Sequence, residues 1–196
     1  MSDYREVTYT YKLVLLGDSS VGKTSIATQF VNNSFSEFQD STIGAAFLSK
    51  MLVVNGNRIN FEIWDTAGQE RYHSLAPMYY RNATIILIVY DITSMTSFEG
   101  AKRWLTELKL TMTADTQVIF IGNKKDKEKR RMVKFEDVER YCYQNGLQHY
   151  EACAKNKENI DNIFKKVASN VEIDKKYIKR SNFVIEKPKK NNYCCR

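Results

Sequence analysis

The sequence predicts an α/β domain built on a mostly parallel sheet with helices on both faces. Three observations carry this. Strand-like and helix-like patterns alternate along the chain. Two runs, "ATIILIVYD" (83–91) and "TQVIFIGNK" (116–124), are apolar almost throughout, as strands covered on both faces are. A hairpin signal, Asn55-Gly56, joins two strand-like segments, because both turn residues tolerate positive φ. That hairpin supplies one antiparallel strand at an edge of the sheet.

Taken in order, "YTYKLVLLG" (9–17) reads as a first strand running into a glycine loop, and "TSIATQFVNN" (24–33) as the helix behind it. "AAFLSKMLVVNGNRINFEIWD" (45–65) is the pair of strands around the hairpin. After the run at 83–91, Thr96-x-x-Glu99 reads as a capping box opening a helix whose apolar face is Phe98, Ala101, Leu105 and Leu108. "GLQHYEAC" (146–153) is a short final strand. Ile160, Ile163, Phe164, Val167, Ala168 and Val171 then give the clearest helical period. The period fades near residue 175. The expected division is a domain over 1–173 and a basic, disordered tail over 174–196.

Composition narrows the class. The chain has 196 residues, enough for one domain with a sizeable core. No apolar run approaches the ~20 residues of a membrane-spanning helix. "MSDYREV" does not read as a secretory signal, and Ser2 excludes N-myristoylation. Four cysteines (Cys142, Cys153, Cys194, Cys195) match no disulfide framework or zinc spacing, which fits a reducing cytosol. Residues 174–196 carry eight basic side chains against Asp174 and Glu186, a net +6 of the chain's +7. The tail suits an anionic membrane surface or nucleic acid, but no nucleic-acid motif accompanies it.

Four short motifs carry chemistry. "GDSSVGKT" (17–24) fits G-x-x-x-x-G-K-[ST] between a strand and a helix. Gly17 and Gly22 let the backbone wrap close to phosphates. Lys23 places a cation on the outer ones, and the Thr24 hydroxyl can ligate Mg²⁺. This motif alone specifies a nucleoside triphosphate and neither base nor reaction. In "WDTAGQE" (64–70), Asp65 can hold Mg²⁺ through water, the Gly68 N–H can approach a γ-phosphate, and Gln69 can orient an attacking water. In "NKKD" (123–126), Asp126 can accept from guanine N1–H and the exocyclic amine. Asn123 belongs to the same loop, and the Lys124 stem can lie over the base. In "EACAK" (151–155), backbone N–H groups of Cys153, Ala154 and Lys155 can read guanine O6. Between the first two motifs, "SFSEFQDSTIG" (34–44) has no regular period. Its Thr42 can complete a Mg²⁺ shell when a γ-phosphate is present, which makes the segment a switch. It holds no arginine, so a cis-acting finger is lacking and hydrolysis without help is slow.

These motifs, in this order and spacing, resemble the Ras-like small GTPases over roughly residues 9–172. "STIGAAF" and "WDTAGQERYHSLAPMYYR" are similar to Rab GTPases, and in particular to the early-endosomal Rab subgroup. The resemblance implies a P-loop GTPase fold with a six-stranded sheet and five helices. It implies GTP and GDP binding with Mg²⁺, slow hydrolysis, and a cycle run by an exchange factor, an activating protein and effectors of vesicle traffic. It assigns Ser20, Val21, Gly22, Lys23, Thr24 and Ser25 to the phosphates, Phe35 to edge-on packing on the base, and Thr24 and Thr42 to the metal. Phe47, Trp64 and Tyr79 match the trio on which Rab effectors dock. Cys194 and Cys195 match prenylation sites, which implies a prenylation escort, a lipid-extracting carrier, and a monomer cycling between cytosol and the cytoplasmic face of early endosomes. Three features depart: Cys153 stands where serine is usual, Asn82 where this subgroup commonly has glycine, and "CCR" is not a C-a-a-X box. His73 and His149 gain no role and read as structural. A P-loop kinase or ATPase is opposed by "NKKD" and Gln69, and a nucleotide-locked scaffold by Gln69.

Overall fold

The computed structural model describes residues 7–113 and 115–171, and the backbone of Ile178–Lys179. Strands β1 (Thr8–Leu16), β2 (Ala45–Val54), β3 (Asn57–Thr66), β4 (Ile85–Asp91), β5 (Gln117–Asn123) and β6 (Gln148–Glu151) form one sheet in the order β2-β3-β1-β4-β5-β6. β1, β3, β4, β5 and β6 pair in parallel, and β2 is the antiparallel edge strand. Every residue of β4 is buried, as its apolar run predicts. The hairpin turn forms at Asn55 (φ 50°) and Gly56 (φ 77°), with Val54 opposite Asn57.

Alternation along β1 divides the core in two. Leu13 and Leu15 face α1 (Lys23–Asn32) and α5 (Ile160–Asn170), where Ile26, Phe30, Ile163 and Phe164 close the layer. Val14 and Leu16 face the other way, toward α2 (Ala76–Tyr80), α3 (Met95–Leu108) and α4 (Phe135–Gln144). The Phe30 and Phe164 rings stack at 3.7 Å and so lock α1 to α5. The loops that follow β1, β3, β5 and β6 therefore emerge together at the carboxyl end of the sheet, where α/β folds place their ligands.

Two details differ from the sequence expectation. The cap of α3 is Ser94, whose hydroxyl accepts from Ser97 N–H at 3.2 Å; Thr96 already lies inside the helix. The capping box therefore sits two residues too far along, because serine at 94 presents its oxygen to the open N–H groups first. A two-residue strand, β7 (Ile178–Lys179), lies inside the segment assigned to the tail and pairs antiparallel with Thr8 and Tyr9. β4 begins opposite Leu13, so the lower side of β1 is open there and accepts the extra strand. Asn82 adopts φ 56°, the left-handed conformation that asparagine tolerates better than most residues.

Candidate active site

A cleft of about 540 Å³ opens at the carboxyl end of the sheet. It is lined by Ser20, Gly22, Lys23, Thr24, Ser25, Phe35, Thr42, Gly68, Gln69, Asn123, Lys124, Asp126, Ala154 and Lys155. Sequence segments up to 135 positions apart, all singled out above, thus meet in one place. Val21, Asp65 and Cys153 do not line it; all three are buried just behind. Cys194 and Cys195 lie outside the described residues.

The glycine loop is held by its neighbours. Gly17 has φ 142° and a Cβ there would sit 2.2 Å from the Val89 carbonyl oxygen, so only glycine fits. Gly22 approaches Asn123 so closely that a Cβ would lie 2.3 Å from Nδ2. Asn123 Nδ2 donates to the Val21 carbonyl at 2.8 Å, and Asn123 Oδ1 accepts from Ala154 N–H at 3.3 Å. One buried amide therefore ties the first, third and fourth motifs together. Lys124 bridges the same gap: its ammonium donates to Ser20 O and to Asp91 Oδ2, both at 2.7 Å. Burial opposes ionisation of Asp91, but Lys124 and the Thr93 hydroxyl and N–H outweigh it and hold its carboxyl below the usual range.

Lys23 donates to the carbonyls of Gly17 (2.8 Å) and Asp18 (2.9 Å). Burial pulls its pKa down to about 8, against the opposing charges of Asp65 and Asp18. A buried ammonium with a third proton left to give is a strong anion receptor. Beside it, the Thr24 and Thr42 hydroxyls lie 2.9 Å apart, and both reach Asp65 Oδ2, at 2.7 and 3.4 Å. Asp65 is fully buried and its Oδ1 has no partner. Burial raises its pKa, while the Thr24 hydroxyl, Lys23 and Thr42 work the other way. Two hydroxyls and the Asp65 carboxylate, one oxygen of which is unpaired, form a hard oxygen set that fits Mg²⁺, which keeps waters and takes its remaining ligands from phosphates.

Residues 12–173 match the Ras family. The chain belongs to that family. Within it the relatives are of Rab type. The chain is 52% identical to Ras-related protein RHN1 of Nicotiana plumbaginifolia over 160 residues, covering 82% of this chain and 80% of the relative. It is 49% identical to Ras-related protein Rab5A of Oryza sativa subsp. japonica, covering 82% and 79%. It is 51% identical to Ras-related protein RABF2b of Arabidopsis thaliana, covering 80% and 78%. The protein is thus a Rab-type GTPase that cleaves GTP to GDP and phosphate, a switch of endosomal vesicle traffic. Ras-family GTPases bind GTP and GDP, typically with Mg²⁺, and work with exchange factors, activating proteins and effectors. Among the described residues no helix is long and apolar enough to cross a membrane.

In this GTPase the third and fourth motifs share one unusual contact. The Cys153 thiol donates to Asp126 Oδ1 at 3.1 Å. Burial raises the thiol pKa, so the proton stays available. Outside the cleft, Trp64 stands between Phe47 (5.3 Å, edge-on) and Tyr79 (5.8 Å), forming a partly exposed aromatic row. Ile43 and Met78, next in sequence to Gly44 and Tyr79, are also exposed. The histidines are packed: His73 stacks on Trp104 at 4.3 Å and faces Glu107, and His149 bonds the Tyr90 hydroxyl at 2.9 Å.

Sequence reasoning missed the residues that set the loops. Arg131 is bidentate to Glu151 (2.6 and 2.8 Å) and to Glu128 (2.6 and 2.6 Å). It clamps the turn carrying Asp126 to the strand end carrying Cys153. An arginine among five neighbouring basic residues gives no local sign of this.

Proposed function

We propose that the cleft binds guanine nucleotide with the division of labour the motifs imply, and that the chain acts from a lipid-anchored tail. Residues 20–25 cradle the phosphates. Asp126, steadied by Cys153, reads the guanine edge, Asn123 ties this loop to the glycine loop, and Phe35 packs edge-on to the base. Thr24 and Thr42 hold Mg²⁺, with Asp65 acting through water. The ion, when bound, neutralises charge on the β- and γ-phosphates. Gln69 orients the attacking water, and Gly68 offers its N–H to the γ-phosphate. A Cβ at Gly68 would meet Lys23 Nζ at 2.4 Å and the Asp18 carbonyl at 2.5 Å, which supports a close approach of this loop to the phosphate site. The observation that carries the reading is the convergence of Thr24 and Thr42 on Asp65. It joins the irregular segment at 34–44 to the site where a γ-phosphate sits.

Phe47, Trp64 and Tyr79 form the effector-docking row. Cys194 and Cys195 carry geranylgeranyl chains, because one short lipid anchors only marginally and two anchor stably. An escort delivers the chain for prenylation, a soluble carrier extracts it, and the basic tail adds attraction to anionic lipids on the cytoplasmic face of early endosomes. Within this tail, β7 lies at the Thr8 end of β1, the end remote from Gly17. From Lys179 to Cys194 a fully extended chain reaches roughly 50 Å.

Single-turnover assays test the cleft. GTP cleavage should be Mg²⁺-dependent and on the order of 10⁻⁴–10⁻³ s⁻¹, with ATP neither competing nor cleaved. Equal competition by ATP overturns the base assignment. Mass spectrometry of protein isolated from its own cells tests the tail, and unmodified Cys194 and Cys195 overturn the lipid assignment.

A further inference from the structure

The base side of the cleft holds an ion pair that guanine recognition, as assigned above, does not use. Lys155 Nζ donates to Glu37 Oε1 across 118 positions of sequence. Both residues line the cleft. The backbone of 153–155 is committed to the base, but the Lys155 side chain turns away to meet Glu37. Glu37 lies two residues after Phe35, so the pair draws the start of the 34–44 segment against the fourth motif. Lys127, on the turn after Asp126, adds a second positive charge near Glu37, and Asp126 lies within electrostatic reach of Lys155.

The 34–44 segment is therefore fastened at both ends in different ways. Thr42 is tied to Thr24 and Asp65, a contact that answers to metal and γ-phosphate. Glu37 is tied to Lys155, which belongs to the base side and is indifferent to the γ-phosphate. A nucleotide seated between the glycine loop and the base loops is flanked by this pair, since both residues line the cleft. We propose that the Glu37–Lys155 pair is a strap across the mouth of the base pocket, and that Glu37 is a positioning residue that retards release of GDP and GTP alike. The inference rests on the reading of the cleft as a guanine-nucleotide site.

The pair is more than half exposed on both sides, so its effect is modest and screened by salt. Release of a fluorescent guanine nucleotide from the full-length chain measures it, in wild type, Glu37→Gln, Glu37→Lys, Lys155→Glu and the swap Glu37→Lys/Lys155→Glu. At low salt, neutralising Glu37 should speed release of both GDP and GTP about twofold, and reversing either charge up to about fivefold. The swap should release more slowly than either charge-reversal variant. Near 1 M salt, where the screening length falls to about 3 Å, the differences should shrink toward none. Unchanged release in Glu37→Gln and Glu37→Lys, a swap as fast as the single reversals, or an effect confined to GTP overturns the strap. A wild-type chain that fails to retain guanine over adenine nucleotide instead overturns the reading of the cleft, and is told apart by that measurement alone.

Discussion

Replacing Cys153 by serine should slow nucleotide release, and the structure gives the size of the effect. The thiol donates to Asp126 Oδ1 at 3.1 Å from a fully buried position. Sulfur is a weak donor. A hydroxyl donating to a carboxylate settles at roughly 2.5–2.7 Å and is about twice as strong as a neutral bond. Net contributions of hydrogen bonds to charged groups are about 1.5–3 kcal/mol. The serine oxygen is carried on a shorter bond, so Asp126 has to lean in and part of that gain is lost. Taking a net improvement of about 1 kcal/mol gives roughly fivefold tighter positioning of the carboxylate. Expressed in release, Cys153→Ser should hold GDP about fivefold longer, while Cys153→Ala, which leaves Asp126 without this donor, should let it go faster than wild type. Displacement of a fluorescent GDP analogue by excess unlabelled nucleotide reads both. Serine releasing as fast as cysteine, or alanine matching wild type, refutes the idea that this contact steadies the guanine reader.

On the proposed roles, Gln69→Leu should lower single-turnover GTP cleavage at least tenfold and leave GTP binding intact; an unchanged rate removes Gln69 from water positioning. Asp126→Asn exchanges a carboxylate for an amide at the base edge and should shift preference from guanine toward xanthine nucleotides in competition assays. Gly68→Ala puts a methyl within 2.5 Å of the Asp18 carbonyl, so the loop should stand off the glycine loop. It should blunt the tryptophan fluorescence change between GDP and GTP without abolishing GDP binding. His149 makes stability pH-dependent. Burial, with Arg131 adding to it, pulls its pKa down to about 4, so between its unfolded pKa near 6.5 and that value only the unfolded chain takes up the proton. Stability from this group is therefore complete above about pH 6.5 and falls by about 2 kcal/mol by pH 5. His149→Gln keeps an acceptor for Tyr90 and does not titrate, so its urea midpoint should fall less between pH 7 and 5 than that of wild type; parallel losses contradict the assignment.

The motifs were legible because each is a contiguous string fixed to the end of a strand, and the strands themselves are apolar runs that nothing else in a small domain explains. β4 and β5 fall where those runs lie. Helix α4 was not singled out: "FEDVERYCYQ" fully buries only Val138 and Cys142, with Tyr141 half-buried beside them, and charged residues stand between them in sequence. α2 is five residues long and begins with proline near its first turn, so it offers no period at all. The ties that shape the cleft were hidden for another reason. Asn123 to the Val21 carbonyl, Lys124 to Asp91, Arg131 to Glu151 and Glu37 to Lys155 are partnerships between ordinary polar groups that only folding brings together. The seventh strand depends on where β4 starts, which no property of "YIKR" reveals.

The same strand geometry explains how a change at a phosphate can reach the surface. Asp65 and Trp64 are consecutive on β3, and successive side chains on a strand point to opposite faces. Asp65 turns inward to Thr24 and Thr42, while Trp64 turns outward to Phe47 and Tyr79. Trp64 itself is fixed, paired through its backbone to Val14 of β1 and to Phe47 of β2, with the Lys12 ammonium over its ring at 5.5 Å. Its two ring partners follow the segments that, on the proposed reading, respond to nucleotide. Phe47 follows Thr42 by five positions, and Tyr79 follows Gln69 by ten. Those segments also meet directly, since Ala67 N–H donates to the Gly44 carbonyl at 2.8 Å. On the proposed reading, loss of the γ-phosphate frees Thr42 and Gly68. Tyr79 then loses its setting, while Trp64 and Phe47, paired across β3 and β2, keep theirs. An aromatic row with two fixed members and one conditional member is complete in only one nucleotide state, and a partner that needs all three rings binds that state alone.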